Sequence, residues 1–204
     1  MRVDIIVTTN EWKGPVIGYN VRIGLCNPKN PSNVGAIMRA AGCFQVDAVF
    51  YTGERYARAA RFNTDTKDVS QKIPLTGLNS LLDAVAENMA IVCVEFVEGA
   101  MPLTEYQHPD NAFYIFGPED GTLGQEIIDR ADAVVYVPTV GSLNLAAVVN
   151  VVLYDRMAKS LMTVANNELI LKSRDKNNNL KIKSPDASAA KDVGITRCKH
   201  PSVE

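Results

Sequence analysis

Residues 137–149, which read "VPTVGSLNLAAVV", join two elements of opposite character. The run that ends at Val137, "AVVYV" (133–137), is β-branched and apolar, which predicts a buried strand. A long apolar helix is predicted over 143–159. Small and polar residues separate the two, namely Gly141, Ser142 and Asn144. Polar side chains at the start of so apolar a helix indicate either helix capping or a binding site.

The same alternation of strand and helix patterns extends over most of the chain. Predicted strands cover 21–26, 47–51, 90–96, 112–116 and 133–137, and predicted helices cover 33–44, 78–88, 123–131 and 143–159. Alternation of this kind is typical of an α/β fold, in which helices cover both faces of a mostly parallel sheet. We therefore expect an N-terminal segment over 1–20 with a further strand pattern at 3–8, a domain over 21–160, and a polar C-terminal extension over 161–204.

The composition is that of a globular protein, with 47% hydrophobic residues, 22% charged residues and a net charge of −2. No apolar run reaches the roughly 20 residues needed to span a membrane, and the N-terminus lacks the pattern of a signal peptide, so we expect a cytoplasmic protein. The four cysteines and two histidines form no metal-ligand pattern, and no metal is expected. A basic cluster at Arg55, Arg58 and Arg61 is either a solvated loop or a contact for nucleic-acid phosphates.

Two further strand ends carry polar residues. After the first predicted strand, "NPKNPSNVGAIMRAAG" (27–42) places Asn33 where its side chain could cap a helix, and Gly35 where backbone can approach closely. Arg39 follows on an otherwise apolar helix, so its guanidinium either extends to solvent or is held by a partner. Because ligands bind at the carboxyl ends of strands in open parallel sheets, these loops are candidates for a site.

The loop "IFGPEDGTL" (115–123) follows another predicted strand and has two glycines around Pro118, Glu119 and Asp120. Its spacing is neither GxGxxG nor GxxxxGK[ST], so the dinucleotide and P-loop interpretations lack support. The two acids would repel a phosphate, and a positively charged ligand fits this loop better. Likewise, "VGSLN" (140–144) is not the G-x-S-x-G of an activated serine, which leaves helix capping as the alternative role for Ser142.

Together the three loops resemble the signatures of the SPOUT class of RNA methyltransferases, in particular its SpoU (TrmH-type) branch, which methylates ribose 2′-hydroxyls. The matching stretches are "NVGAIMR" (33–39), "FGPEDGTL" (116–123) and "VPTVGSLNLAAVV" (137–149), within a resemblance that covers 21–160. Pro118 stands where relatives often carry a small polar residue. The resemblance implies a C-terminal deep trefoil knot, S-adenosylmethionine as cofactor and a homodimer.

The resemblance also implies residue roles. The implied catalytic residues are Arg39, Asn33, Glu119, Ser142 and Asn144, with Glu119 organising the loops or pairing with Arg39. The implied cofactor-binding residues are Phe116, Gly117, Val137, Pro138, Gly141, Ser142, Leu143 and Leu145. The implied RNA contacts are Arg55, Arg58 and Arg61.

The implied substrate is RNA, and tRNA is preferred because no separate RNA-binding domain precedes the methyltransferase domain. Three alternatives stand beside it. They are a ribosomal RNA 2′-O-methyltransferase, a non-catalytic knotted RNA-binding protein and a generic α/β nucleotide-binding enzyme.

Overall fold

A parallel β-sheet of seven strands forms the centre of the fold. The computed structural model describes residues 20–60, 73–160 and 167–182. The chain divides into two units, Met1–Thr163 and Val164–Glu204, and the sheet lies in the first. Its strands are β1 (Val21–Leu25), β2 (Ala48–Thr52), β3 (Leu75–Leu78), β4 (Ala90–Val94), β5 (Met101–Pro102), β6 (Ala112–Phe116) and β7 (Ala133–Tyr136). The helices of the first unit are α1 (Pro31–Cys43), α2 (Arg55–Ala60), α3 (Gln125–Asp129) and α4 (Leu145–Lys159), and α5 (Asn167–Ser173) belongs to the second.

The strand order is β3-β2-β1-β6-β4-β7-β5, and every pair of neighbouring strands in this described sheet runs parallel. The chain forms β1, β2 and β3 in order towards one edge of the sheet. It then crosses over, and β4 to β7 form the part of the sheet on the other side of β1. The direction of strand order therefore reverses between β1 and β6, and ligands of open α/β sheets bind at the carboxyl ends of strands near such a reversal. The loops after β1, β4, β6 and β7 all lie at this edge.

Side chains of the central strand β6 alternate between two hydrophobic clusters, one on each face of the sheet. Tyr114 and Phe116 pack in the cluster that includes residues of α1 and α4, whereas Phe113 and Ile115 pack in the cluster that includes residues of α3. All four side chains are buried. The predicted α/β fold, a mostly parallel sheet with helices on both faces, is therefore confirmed.

A partly buried polar network fixes α4 against the sheet. His108 lies within hydrogen-bond distance of the Tyr114 hydroxyl of β6, at 2.6 Å, and of the Asp155 carboxylate of α4, at 2.9 Å. Arg156 donates to the same hydroxyl at 3.2 Å and to the carbonyl oxygen of Asp110 at 2.8 Å. Burial lowers the pKa of His108, although Asp155 opposes that effect. Because α4 follows the loop after β7, this network also positions that loop.

The predicted helix over 78–88 is wrong. Strand β3 ends at Leu78, and a short 3₁₀ helix covers Leu81–Ala84. The Ser80 side chain caps this turn through the Leu82 N–H at 3.3 Å, and the chain is extended again at Val85. Leu81 and Ala84 are buried three residues apart, a spacing that a 3₁₀ helix and an α-helix share. The apolar pattern therefore could not distinguish the two.

The starts of α1, α3 and α4 each differ by two residues from those expected at 33, 123 and 143, and the start of α1 has a clear physical reason. Helix α1 begins at Pro31, and its cap is Asn30, whose side chain accepts a hydrogen bond from the Ser32 N–H at 2.9 Å. Proline at the first helical position needs no N–H partner, which favours this earlier start. The alternative in which the Asn33 side chain caps the helix is therefore wrong. Strands β3 and β5 and helix α2 were also not predicted.

Several expectations concern residues outside the described ranges, including the strand pattern at 3–8 and the basic residue Arg61. The division into segments 1–20, 21–160 and 161–204 stays a prediction, as does the trefoil knot. Among the described residues, none of the helices has the length and apolar character required to cross a membrane.

Candidate functional site

The loops after β4, β6 and β7 enclose a cleft at the carboxyl edge of the sheet, which we call the strand-end cleft. It is lined by Val94, Glu95, Phe96, Phe116, Gly117, Pro118, Glu119, Gly121, Tyr136, Val137, Thr139, Ser142, Leu143, Leu145 and Val148. An adjoining depression, the helix-mouth cleft, is lined by Lys29, Asn30, Pro31, Asn33, Glu119, Ser142, Leu143, Asn144 and Leu145. Because the two clefts share four residues, the three loops selected from the sequence meet in one place.

The structure brings most of the candidate residues into these clefts. The predicted cofactor residues in the lining of the strand-end cleft are Phe116, Gly117, Val137, Ser142, Leu143 and Leu145. Pro138 and Gly141 lie on the same loop, exposed and outside both linings. The predicted catalytic residues in the helix-mouth cleft are Asn33, Glu119, Ser142 and Asn144. Their roles stay predictions at this point, because position alone does not establish chemistry.

Glu119 joins the loop after β6 to the loop after β1. One carboxylate oxygen accepts a hydrogen bond from the Lys29 N–H at 2.8 Å. The other accepts from the Asn30 N–H at 3.1 Å and from the Asn33 side-chain amide at 3.0 Å. The proposed pairing of Glu119 with Arg39 is therefore absent from this structure, in which the carboxylate bonds to the loop before α1 and to its first turn.

Asn33 extends this connection to the loop after β7. Its side-chain oxygen accepts a hydrogen bond from the Asn144 side-chain amide at 3.0 Å. Asn144 in turn caps α4, since its side-chain oxygen accepts from the Ala146 N–H at 2.9 Å. The alternative role of Ser142 as the helix cap is therefore wrong. Ser142 is exposed and lines both clefts, so it borders the candidate site.

The hydrogen bonds to Glu119 have an electrostatic consequence. Partial burial raises the pKa of Glu119, but the hydrogen bonds from Asn33, Lys29 and Asn30 outweigh it, and the net pKa lies below the ordinary value of 4.5. The carboxylate form is therefore the form that holds the three loops together.

Asp120, the neighbouring acid, forms ion pairs with two basic side chains of this protein. Arg55 donates two hydrogen bonds at 2.9 Å to one of its oxygens and one at 3.0 Å to the other, which Lys29 also approaches at 3.4 Å. The hydrogen bonds from Arg55 lower the pKa of Asp120. The sequence-based argument for a positively charged ligand at this loop therefore loses its basis, because both acids already have partners.

The predicted RNA contacts are partly paired within the chain. Arg55 is bound to Asp120, and Arg58 forms an ion pair with Glu54 one helical turn away on the exposed surface of α2. Arg61 lies outside the described residues. An RNA phosphate that binds Arg55 would thus compete with a carboxylate.

Among the predicted catalytic residues, Arg39 is the one that the structure does not bring to the clefts. It is exposed on α1 and lines neither cleft. Six residues separate it from Asn33, which is about 9 Å along the helix axis. Within the described ranges its guanidinium has no hydrogen bond or ion pair, so its donors face solvent. Any action of Arg39 on a reacting group therefore requires the substrate to approach it from outside.

The glycines of the site differ in whether the surrounding atoms leave room for a side chain. A side chain at Gly35 or Gly141 would meet no atom within 4 Å, so neither glycine is required by a close approach of the described chain. A Cβ atom at Gly117, by contrast, would lie 2.5 Å from a carboxylate oxygen of Glu95. Gly117 is therefore the glycine of the cleft at which an added side chain would have to displace the Glu95 carboxylate.

The sequence comparison identifies the family. Residues 20–154, well over half of the chain, match the model of the SpoU rRNA methylase family. The chain belongs to this family. A search of curated protein sequences finds no significant match.

Solved structures share the SpoU fold at low sequence identity. The AdoMet-bound rRNA methyltransferase from Sinorhizobium meliloti is 20% identical, with 71% of this chain and 57% of that protein covered and a TM-score of 0.58. The TrmH/SpoU tRNA modifying enzyme of A. aeolicus is 17% identical, with coverages of 69% and 75% and a TM-score of 0.57. A protein described for the 2-OH methylation of C/U34 on tRNA is 22% identical, with coverages of 69% and 96% and a TM-score of 0.56.

One acid in the cleft of this SpoU family member was missed from the sequence. Glu95 directly follows β4 and lines the strand-end cleft beside Phe96. The strand had been predicted over 90–96, which placed Glu95 inside the sheet rather than at its edge. With β4 ending at Val94, the strand-end rule that selected the other loops would also have selected this one.

We predict that Glu119→Gln lowers the free energy of unfolding at pH 7 by about 1 kcal/mol, because the amide places a donor where the carboxylate accepts one. The native pKa of Glu119 is lowered, so its contribution is present above the unfolded value and is lost as the pH falls through the native value. The stability difference between wild type and variant should therefore shrink on acidification. Urea unfolding at a series of pH values measures this.

The matched control is Glu98→Gln, which removes an exposed carboxylate with no hydrogen bond in the described structure. It should change stability by less than about 0.5 kcal/mol at every pH. A Glu119→Gln penalty that stays constant from pH 7 to pH 3 would contradict the assignment of the linking role to the ionised carboxylate.

Proposed function

We propose that this protein is an S-adenosylmethionine-dependent methyltransferase that modifies a ribose 2′-hydroxyl of RNA, with tRNA preferred over rRNA and a cytoplasmic location. The observation that carries the proposal is the meeting of the three signature loops at one edge of the sheet, tied together by Glu119, Asn33 and Asn144. An arrangement that holds separate loops in fixed relation suits a reaction that depends mainly on positioning two reactants.

The strand-end cleft fits the proposed cofactor. Its walls combine the aromatic rings of Phe96 and Tyr136 with aliphatic side chains such as Leu145, and the hydroxyl groups of Thr139 and Ser142 supply polar contacts. A cavity that combines apolar walls with converging polar groups is typical of a site for a nucleoside-sized ligand. When bound, S-adenosylmethionine supplies a methyl group that is already activated as part of a sulfonium.

Arg39 is proposed to act on the RNA rather than on the cofactor. A guanidinium with a pKa above about 12 is a poor general base. Its charge can instead hold a phosphate next to the target ribose and stabilise negative charge on the 2′-oxygen as its proton leaves. The exposed position of Arg39 supports this role, since an RNA backbone can reach it from solvent.

A homodimer and a trefoil knot are part of the same proposal. Helix α4 exposes Val151 and Tyr154 although its other face packs in the core. An apolar face that the described unit leaves in solvent favours association with a second copy. The knot is proposed from family membership, and the loop after β7 would be part of it.

The preference for tRNA rests on the structural neighbours. The neighbour described for methylation of C/U34 on tRNA is covered over 96% of its length, whereas the S. meliloti rRNA methyltransferase is covered over 57%. The second candidate is a non-catalytic RNA-binding protein with the same fold. It is favoured by one observation, the position of Arg39 outside both clefts.

The proposed function is tested by incubating the protein with methyl-labelled S-adenosylmethionine and either tRNA or rRNA, followed by digestion to nucleosides. We expect label in a 2′-O-methylnucleoside from tRNA. Label in 2′-O-methylnucleosides of rRNA alone would reverse the substrate preference, and label on a base would contradict the reaction. RNA binding with no methyl transfer would support the non-catalytic alternative.

We predict that Arg39→Ala lowers kcat about 100-fold or more, the size of effect seen when one charge-stabilising donor is removed, and leaves the Kd for S-adenosylmethionine within twofold. Single-turnover kinetics and calorimetry measure the two quantities. A large loss of cofactor affinity would contradict the assignment of Arg39 to the RNA side.

The contrasting variant is Arg55→Ala. It removes a proposed phosphate contact away from the reacting atoms, so it should raise the KM for RNA and reduce its dependence on salt while kcat stays nearly unchanged. Equal effects of both variants on kcat would contradict a role of Arg39 at the reacting atoms that Arg55 does not share.

A further inference from the structure

Glu95 is an acid in the strand-end cleft that the signature motifs do not include. It follows β4 directly, and β4 lies between β6 and β7 in the sheet. Its side chain therefore stands between the loop that begins at Gly117 and the loop that begins at Val137, and all three residues line the cleft.

The chain's own donors leave Glu95 with spare acceptor capacity. One carboxylate oxygen accepts a hydrogen bond from the Phe96 N–H at 3.0 Å, and the other accepts from the Leu123 N–H at 3.0 Å. Each carboxylate oxygen can accept a second hydrogen bond. Unlike Asp120, Glu95 forms no ion pair within the described ranges. The two backbone hydrogen bonds thus fix the carboxylate in place without neutralising it.

The fold makes room for this carboxylate. A Cβ atom at Gly117 would lie 2.5 Å from one of its oxygens, so a residue with a side chain there would displace it. Next to it, the rings of Phe96 and Tyr136 lie 5.7 Å apart at 46° to each other and both line the cleft. The cleft therefore presents a fixed hydrogen-bond acceptor beside an aromatic wall.

This combination matches the two parts of a nucleoside. An aromatic or aliphatic wall packs against a base, and a carboxylate at the end of a strand accepts hydrogen bonds from ribose hydroxyls, as acids do in the Rossmann fold. The other acids of the site, Glu119 and Asp120, are occupied by the chain itself. Glu119 accepts three hydrogen bonds from the chain and Asp120 accepts four, whereas Glu95 accepts two, one at each oxygen, so Glu95 has the most acceptor capacity left for a ligand.

We propose that Glu95 accepts hydrogen bonds from the ribose hydroxyls of the cofactor's adenosine and thereby selects a ribonucleoside ligand. The inference rests on the proposed function, because it takes S-adenosylmethionine as the cofactor. It gives Glu95 a specificity-determining role and gives Gly117 the role of leaving space for the Glu95 carboxylate.

The experiment measures the affinities of S-adenosylhomocysteine and its 2′-deoxy and 3′-deoxy analogues by calorimetry for wild type, Glu95→Gln and Glu95→Ala. Wild type should bind the ribose form about 10-fold or more tightly than at least one deoxy form, since a hydrogen bond to a charged group is lost. Glu95→Ala should bring that ratio close to one. Because the ligands are compared on the same variant, loosening of the loop at Leu123 affects them equally and cancels in the ratio.

A comparison of S-adenosylmethionine with S-adenosylhomocysteine provides the second arm, because only the former carries the sulfonium charge. The Glu95 variants should weaken both ligands by the same factor. A much larger loss for S-adenosylmethionine would mean that the carboxylate faces the sulfonium, and it would overturn the inference. An unchanged ribose-to-deoxyribose ratio in Glu95→Ala would overturn it as well.

The matched control is Glu98→Gln, an exposed acid three residues further along the chain, which should leave all affinities and ratios unchanged. Failure of the inference is distinguishable from failure of the proposed function. If wild type binds neither S-adenosylmethionine nor S-adenosylhomocysteine, the proposed function and the inference about Glu95 are both contradicted. If it binds both ligands but does not discriminate between ribose and deoxyribose, only the inference about Glu95 is contradicted.

Discussion

A chain of hydrogen bonds from Glu119 through Asn33 to Asn144 is the constraint on which the site depends. It connects the loops after β6, β1 and β7, which are far apart in the sequence, and it ends at the cap of α4. The sheet brings these loops to one edge, but parallel strands alone do not fix the conformations of the loops that follow them. The amide of Asn33 is suited to the central place, because it donates to a carboxylate and accepts from a second amide at the same time.

Much of this arrangement could be predicted from the sequence. The alternation of strands and helices placed the loops at one edge, and the spacing of Asn33, Glu119 and Asn144 within known signatures selected residues that the structure brings together. The hydrogen-bond partners could not be predicted, because they depend on side-chain directions. The sequence therefore left Asn33 as a possible cap of α1, where Asn30 is the cap, and Arg39 as a possible partner of Glu119, which bonds to Asn33 instead. Glu95 was missed for a smaller reason, a strand end placed two residues too late.

The three acids at this edge of the sheet differ in their hydrogen-bond partners, and we propose different roles for them on that basis. Glu119 and Asp120 are held by donors and cations of the chain, which lower the pKa of each. Glu95 receives two backbone hydrogen bonds and keeps acceptor capacity towards the strand-end cleft. We propose on this basis that Glu119 and Asp120 hold the loops in place and that Glu95 binds the cofactor. Arg39, exposed on α1, is proposed to complete the site when the RNA brings its phosphate there.

The most direct measurement is a double-mutant cycle on the Kd for S-adenosylmethionine, with Glu119→Gln, Asn144→Ala and the pair, in the wild-type and Asn33→Ala backgrounds. Glu119 and Asn144 form no hydrogen bond with each other and are linked through Asn33. The account predicts losses that are not additive in the wild-type background, with a coupling free energy of about 0.5 kcal/mol or more, and additive losses once Asn33 is removed. Additive losses in both backgrounds would contradict the claim that one hydrogen-bonded chain shapes the site.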